Sequence, residues 1–123
     1  MAHSINWFEI PVSDFQRGKT FYEKMFNTTL DPMENMGMKS AFFPADLENN
    51  EIGGCIVEGQ GYEPSDKGAL VYLNGGNDLD TMLSRVEQAG GKILVPKTAI
   101  PPHGFMAHFV DSEGNKIGLH SMG

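Results

Sequence analysis

Residues 50–55 read Asn-Glu-Ile-Gly-Gly-Cys, and residues 115–120 read Asn-Lys-Ile-Gly-Leu-His. The two stretches share Asn, Ile and Gly at the same relative positions. Each stretch also lies at the end of a series of predicted elements that runs strand, helix, strand, strand, strand. Because a matching motif falls at the matching point of two matching patterns, we predict that the chain contains a duplicated βαβββ module.

The first module is predicted from alternating apolar residues and a helix start. Phe8, Ile10 and Val12 recur at period two and indicate a strand. Ser13 and Gln16 form a capping box, which predicts a helix that continues to about residue 26. The strands expected after this helix are 28–32, 38–44 and 52–58.

The second module repeats this order after a break rich in Gly, Pro and charged residues. A strand at 69–74 precedes a helix that Asn77 or Asp78 can cap. Three more strands are expected at 92–98, 105–111 and 116–121. We therefore predict an α+β fold in a single domain, 1–123. Its expected parts are module one at about 4–58, a linker at about 59–67 and module two at about 68–122.

Composition limits the class of protein. With 123 residues, of which 40% are hydrophobic, the chain can form one substantial core. Its apolar runs fall far below the ~18 residues of a membrane span, and its start lacks the pattern of an export signal, so we expect a cytoplasmic protein. The lone Cys55 excludes a Cys-based zinc site, and a net charge of -7 without a Lys/Arg cluster argues against nucleic acid as a partner.

Several motifs give the sequence a family resemblance. Ile-Pro-Val-Ser-Asp at 10–14 leads into Phe-Tyr-Glu at 21–23, Ala-Gly-Gly lies at 89–91, and Phe-Val-Asp-Ser-Glu-Gly-Asn at 109–115 precedes the last strand. In this order and spacing, they resemble the glyoxalase/bleomycin-resistance/extradiol-dioxygenase superfamily, also called vicinal oxygen chelate proteins. The opening Trp-Phe-Glu-Ile-Pro at 7–11 further resembles a bacterial subgroup of that superfamily.

The resemblance implies two modules whose curved mixed sheet surrounds a central pocket, with the helices on the outside. Family enzymes hold a divalent metal in this pocket. They include lactoylglutathione lyase, ring-cleaving dioxygenases, epimerases and a fosfomycin-modifying transferase, whereas bleomycin-binding members use a pocket without metal. Many relatives pair their modules across subunits, so a homodimer is expected.

The resemblance also implies where metal ligands would stand, on the first and last strands of each module. The corresponding positions here are Trp7, then Leu70 or Val71, and the glycines Gly53 and Gly118. None of these side chains is a ligand for a hard divalent ion, which prefers oxygen or imidazole donors. We therefore predict no metal cofactor.

The alternative is a displaced metal site that holds Fe, Zn, Ni or Mn. Glu9 and His120, with His108 if it faces inward, would form a two-His, one-carboxylate set. The direction of His108 stays open, because Phe105, Ala107 and Phe109 could equally form the inward face of their strand.

Alternation along the strands selects the candidate pocket residues. Glu9 and His120 should face inward and are the candidate catalytic residues. On an apolar strand face, loss of hydration would favour the protonated form of Glu9, and His120 titrates near neutral pH in its unperturbed form. The candidate ligand-binding residues are Trp7, Tyr72, Asn74, Cys55 and His108.

Three functions remain open at this level. The first is a metal-independent small-molecule-binding protein or enzyme, which as an enzyme would be a lyase, isomerase or dioxygenase-like protein. The second is a metal-dependent lyase or dioxygenase with displaced ligands. The third is a protein that sequesters an antibiotic or toxin, because an acidic surface suits a cationic compound. In each case the partner is a small molecule, and neither a membrane nor nucleic acid is expected.

Overall fold

A computed structural model describes residues 3–123. The first module consists of β1 (Trp7–Pro11), α1 (Phe15–Phe26), β2 (Asp31–Asn35), β3 (Met38–Phe42), a short 3-10 helix (Leu47–Asn49) and β4 (Gly53–Glu58). The second consists of β5 (Tyr72–Asn74), α2 (Leu79–Ala89), β6 (Lys92–Ala99), β7 (Phe105–Val110) and β8 (Lys116–Ser121). The predicted α+β fold and the duplicated βαβββ order are confirmed. Within residues 3–123, no helix combines the length and the apolar character that crossing a bilayer requires.

The strands form two separate four-stranded sheets, in the orders β1-β4-β3-β2 and β5-β8-β7-β6. In each sheet the first strand of the module runs parallel to the last, and the other neighbours are antiparallel. Trp7 lies opposite Gly53 in the first sheet, as Tyr72 lies opposite Gly118 in the second. The duplication therefore extends to single residue pairs.

The hydrophobic core lies between the helices and one face of each sheet. Helix α1 packs on β3 and β4, helix α2 packs on β6, β7 and β8, and the two helices contact each other. Ile10 and Ile56 of the first sheet and Leu73 and Leu119 of the second belong to this one core. Each helix thus covers its sheet on the side away from the predicted pocket residues. Within this chain, however, the two sheets do not enclose one central pocket, and the helices contact each other between the modules.

The opposite sides of the two sheets carry the candidate site, and we call them the first and second outer faces. Residues paired across strands share one side of a sheet, so the register defines both faces. The first outer face comprises Trp7, Glu9, Pro11, Asp31, Met33, Asn35, Met38, Ser40, Phe42, Gly53, Cys55 and Val57. The second comprises Tyr72, Asn74, Lys92, Val95, Thr98, Met106, His108, Val110, Lys116, Gly118 and His120.

The start of α1 differs from the predicted capping box. Asp14 is the N-cap, and its carboxylate accepts a hydrogen bond from the Arg17 backbone N–H at 3.0 Å. Ser13 instead donates its backbone N–H and its hydroxyl to Glu113 of the second module, while Gln16 bonds within the helix. The prediction was wrong because Asp14 takes the capping position, while the Ser13 hydroxyl that would have capped the helix bonds to the distant Glu113.

A buried polar cluster joins the two modules at the turn before β8. The Asp111 carboxylate accepts hydrogen bonds from the Tyr22 hydroxyl at 2.6 Å and from the Asn115 side chain at 3.0 Å. It also accepts from the backbone N–H groups of Glu113 and Asn115. The Asn115 side chain in turn donates to the Pro11 carbonyl at 2.7 Å. This turn therefore fixes the second module onto the first.

Candidate functional site

An aromatic ring next to a glycine is repeated on the two outer faces. A Cβ atom on Gly53 would lie 2.9 Å from the Trp7 ring, and one on Gly118 would lie 2.5 Å from the Tyr72 ring. The two glycines thus leave the space that these rings occupy. Trp7 and Tyr72 keep 38% and 48% of their surface exposed, so each module presents a flat aromatic surface at the same position.

The structure corrects the predicted counterpart of Trp7 in the second module. Tyr72, and not Leu70 or Val71, stands at this position, because it lies opposite the glycine that corresponds to Gly53. Counting back from the helix cap misplaced it, since Tyr72 lies six positions before the cap Asp78, whereas Trp7 lies seven positions before the cap Asp14.

Glu9 is bound by a residue of the segment that joins the modules. The Tyr62 hydroxyl donates a hydrogen bond to Glu9 Oε1 at 3.0 Å. This hydrogen bond, together with the charge of the Glu9 carboxylate, raises the pKa of Tyr62. Glu9 is exposed, so the expected dehydration of its carboxyl group is wrong for the single chain. The contact with Tyr62 was not predicted, because its only sequence signal is an aromatic residue within a Gly- and Pro-rich stretch.

Cys55 lies opposite Glu9 on β4 and is only 2% exposed. Burial raises the pKa of its thiol to about 11, the nearby charge of Glu9 adds to this effect, and a hydrogen bond with Ser40 opposes it. Since the thiolate is the nucleophilic form, Cys55 is unreactive near neutral pH. It forms part of the floor of the first outer face.

Tyr72 and His108 form a close pair on the second outer face, with 2.8 Å between Tyr72 Oη and His108 Nε2. The direction of His108 is thereby settled: Ala107 and Phe109 are buried in the core, and His108 lies on the other side of β7, opposite Gly118. Burial lowers the pKa of His108, and the charge of Lys116 lowers it further. The imidazole is therefore neutral at pH 7.

An open cleft of about 790 Å³ lies at the end of the second sheet. Tyr72, Asn74 and His120 line it together with residues of the C-terminal segment. His120 Nε2 lies 2.5 Å from the carbonyl oxygen of His103, which places the loop before β7 beside the cleft. Three of the predicted site residues thus share one cavity.

The two candidate catalytic residues are not brought together within one chain. Glu9 lies on β1 of the first sheet and bonds to Tyr62, whereas His120 lies on β8 of the second sheet and contacts His103. The cleft that His120 lines does not include Glu9. The separation follows from the packing of α1 and α2 against each other between the two modules.

The residues of the outer faces do not fit the divalent metal that the family resemblance implies. The expected ligand positions hold Trp7, Tyr72 and two glycines, which offer neither imidazole nor carboxylate. Within residues 3–123, no group of three or more His, Cys, Asp or Glu side chains is placed to hold a metal ion. The displaced set of Glu9, His108 and His120 is divided between two sheets, and each member has another hydrogen-bond partner.

Comparison with known proteins agrees with this fold. The chain is 28% identical over 125 residues to the glutathione transferase FosA of Serratia marcescens, an alignment that covers 98% of this chain and 82% of that protein. It superposes on a glyoxalase I variant from Zea mays with a TM-score of 0.71 and 22% identity, covering 95% of this chain. The alignment covers 45% of the maize chain, so this chain spans about half the length of that enzyme.

A second structural neighbour is the fosfomycin resistance protein FosX of Listeria monocytogenes. Its TM-score is 0.65 at 16% identity, and the alignment covers 98% of this chain and 91% of that one. The family model described as the Glyoxalase/Bleomycin resistance protein/Dioxygenase superfamily matches residues 4–119. The chain therefore belongs to the Glyoxalase/Bleomycin resistance protein/Dioxygenase superfamily.

Proposed function

We propose that this chain is a metal-independent small-molecule-binding protein of its superfamily, whose ligand contacts the two outer faces. The observation that carries the proposal is the repeated pair of a ring and a glycine, Trp7 with Gly53 and Tyr72 with Gly118. The two aromatic rings provide a flat apolar surface that an organic ligand can contact. Neither ring–glycine pair contains an imidazole or carboxylate group that would bind a divalent metal. A protein that only binds its ligand, for example one that sequesters an antibiotic or toxin, would use the same two outer faces.

The proposal includes a homodimer that brings unlike outer faces together. The first face carries Glu9 and Asp31 without any Lys, Arg or His, and the second carries Lys92, His108, Lys116 and His120 without any Asp or Glu. These compositions are complementary in charge, which favours pairing of a first face with a second face. A two-fold dimer would form two such sites and bring Glu9 of one copy toward His120 of the other.

Elemental analysis tests this proposal on protein purified without a metal-affinity tag. We expect Fe, Zn, Ni and Mn to be present far below one atom per chain, both before and after incubation with each ion and removal of the excess. The control is a relative with His and Glu at the ligand positions, handled identically. One equivalent of metal retained per chain would show that displaced ligands form a metal site and would overturn the proposal.

The Tyr72–His108 pair favours a second candidate function, which is acid–base catalysis without metal. Because His108 is neutral at pH 7, we infer that its Nε2 atom accepts the hydrogen bond and that the Tyr72 hydroxyl donates it. A phenol bonded in this way can pass its proton to the imidazole while its oxygen takes a proton from a substrate.

Tyr72→Phe tests the direction of this hydrogen bond. A bond donated to Nε2 stabilises the neutral imidazole, so its loss should raise the pKa of His108. The measurement is a titration of the histidine ring signals by NMR, with Tyr62→Phe on the other outer face as the matched control that leaves His108 unchanged. An unchanged or lower pKa of His108 in Tyr72→Phe would contradict the assigned donor and the proton relay built on it.

A further inference from the structure

A smaller cleft, of about 420 Å³, lies between the C-terminal halves of the two helices, and we call it the helix cleft. Its lining consists of Lys24 and Asn27 from the end of α1, and of Arg85, Gln88 and Ala89 from α2. Arg85 and Gln88 are three positions apart, a spacing that places both side chains on one face of a helix. Each helix therefore contributes one cationic and one amide side chain to the same cavity.

The charge of the helix cleft is opposite to that of the whole chain. The sequence contains 16 Asp and Glu residues against 9 Lys and Arg residues. Among residues 3–123, however, no Asp or Glu lines this cleft. None of the salt bridges in the same part of the chain involves Lys24 or Arg85. Two cations without an acidic partner thus line one cavity of an acidic protein.

Arg85 is held in place by the first module. It is half-buried, and its Nη1 atom donates a hydrogen bond to the Met25 carbonyl oxygen at 3.4 Å. A guanidinium group has five N–H donors, so this one long contact leaves most of them available to a ligand. Because the contact restricts the guanidinium before a ligand arrives, less side-chain freedom is lost on binding.

The carbonyl groups at the two helix ends are largely engaged by backbone donors. The N–H groups of Asn27 and Thr28 both donate to the Glu23 carbonyl oxygen at the end of α1. At the end of α2, the Gly90 N–H donates to the Glu87 carbonyl oxygen. Unbonded carbonyl groups give a helix C-terminus its negative character, which these hydrogen bonds reduce. The positive charges of the cleft therefore dominate its local field.

We propose that the helix cleft binds the phosphate group of a small molecule, with Lys24 and Arg85 as the counter-charges. A phosphate dianion matches two cations in charge, and its oxygen atoms accept hydrogen bonds from both an ammonium and a guanidinium group. The amide groups of Asn27 and Gln88 supply further N–H donors. The cavity accommodates either inorganic phosphate or a small phosphate ester.

This site is separate from the one in the proposed function. The helices cover the sides of the sheets opposite to the outer faces, so a dimer formed through the outer faces leaves the helix cleft open. The phosphate site therefore does not depend on the proposed dimer or on the ligand of the outer faces.

The test is a titration of the full-length protein, labelled with ¹⁵N, followed by NMR. Sodium phosphate and glycerol 3-phosphate are added separately at constant ionic strength and at about pH 8, above the second phosphate pKa of about 6. We expect saturable shifts of the backbone amide signals of residues 24–27 and 85–89. Tighter binding of the ester would identify an organic phosphate as the ligand, and equal affinity would identify the inorganic ion. No saturable shift at these signals would overturn the site.

Lys24→Gln removes one of the two charges and should weaken phosphate binding about fivefold, the factor that corresponds to about 1 kcal/mol for an exposed charge pair. Lys24 is exposed, so this variant keeps the fold. Arg85→Gln should weaken binding further, because it also removes the planar fork of donors.

The matched control is Lys39→Gln, which removes the same charge from an exposed position on β3. Its affinity for phosphate should stay within about twofold of the wild-type value, as for a distant and screened charge. Equal weakening by the Lys24 and Lys39 variants, or an unchanged affinity of Lys24→Gln, would overturn the assignment. Neither the metal content nor the subunit number enters this measurement, so its failure is distinguishable from a failure of the proposed function.

Discussion

Replacing Asp111 with alanine is expected to lower the free energy of unfolding by about 3 to 5 kcal/mol. Asp111 is 4% exposed, and its carboxylate accepts four hydrogen bonds at the contact between the modules. Alanine would leave the Tyr22 hydroxyl and one N–H of the Asn115 side chain buried without an acceptor, and an unsatisfied buried donor costs about 1 to 3 kcal/mol. Urea unfolding followed by circular dichroism measures this loss.

Two variants control the Asp111 prediction. Asp66→Ala removes an exposed carboxylate whose one salt bridge within residues 3–123 is with Lys67, so the free energy of unfolding should change by less than about 0.5 kcal/mol. Tyr22→Phe should cost about 1 to 2 kcal/mol in the wild-type chain and less when Asp111 is already alanine, because the two groups share one bond. A cost of Asp111→Ala no larger than that of Asp66→Ala would contradict the role of this cluster.

Replacing Glu113 with glutamine is expected to cost about 2 kcal/mol at pH 7. Burial alone would raise the pKa of Glu113, but the hydrogen bond from Arg17 and the backbone N–H of Asp14 outweigh it and lower the pKa to about 2. Arg17 Nε lies 2.5 Å from the carboxylate, with the Arg17 side chain 55% exposed and that of Glu113 fully buried. The full shift in the pKa of Glu113 corresponds to about 3 kcal/mol of stability. Because solvent screens the exposed Arg17 side chain, we expect the smaller cost of about 2 kcal/mol.

The contribution of Glu113 has a defined pH dependence. Its folded-state pKa lies below the ordinary value of 4.5, so the stabilisation is complete above that value and declines as the pH falls toward 2. The difference in free energy of unfolding between the wild-type chain and Glu113→Gln should therefore shrink between pH 5 and pH 2. Urea unfolding at a series of pH values measures it, and a difference that stays constant over this range would refute the assignment.

Most of the fold could be predicted from local patterns in the sequence. Period-two alternation placed Ile10 and Leu119 toward the helices, and both lie in the core. The shared motif at 50–55 and 115–120 placed Gly53 and Gly118 at equivalent positions, which the register of the two sheets confirms. These signals succeed because a strand has only two faces, and burial decides which face carries the apolar residues.

Contacts between distant segments explain where sequence reasoning failed. Glu113 of the other module accepts hydrogen bonds from the backbone of Ser13 and Asp14 at the start of α1, and Glu9 is held by Tyr62, fifty-three positions away in the chain. The direction of the His108 side chain could be assigned only because the structure shows its neighbours on β7 buried in the core. No local pattern encodes such contacts, since they arise only when the two modules and the segment between them pack together.

In the proposed dimer, the rings of Trp7 and Tyr72 and their glycine partners form a small-molecule-binding surface, shared between two copies, at the positions where a metal centre would lie. Native mass spectrometry of protein purified without a metal-affinity tag tests this arrangement, because one spectrum reports subunit number, bound metal and bound small molecules. We expect a dimer whose mass shows no metal and increases only by organic ligand. A metal ion retained at one per chain would contradict it.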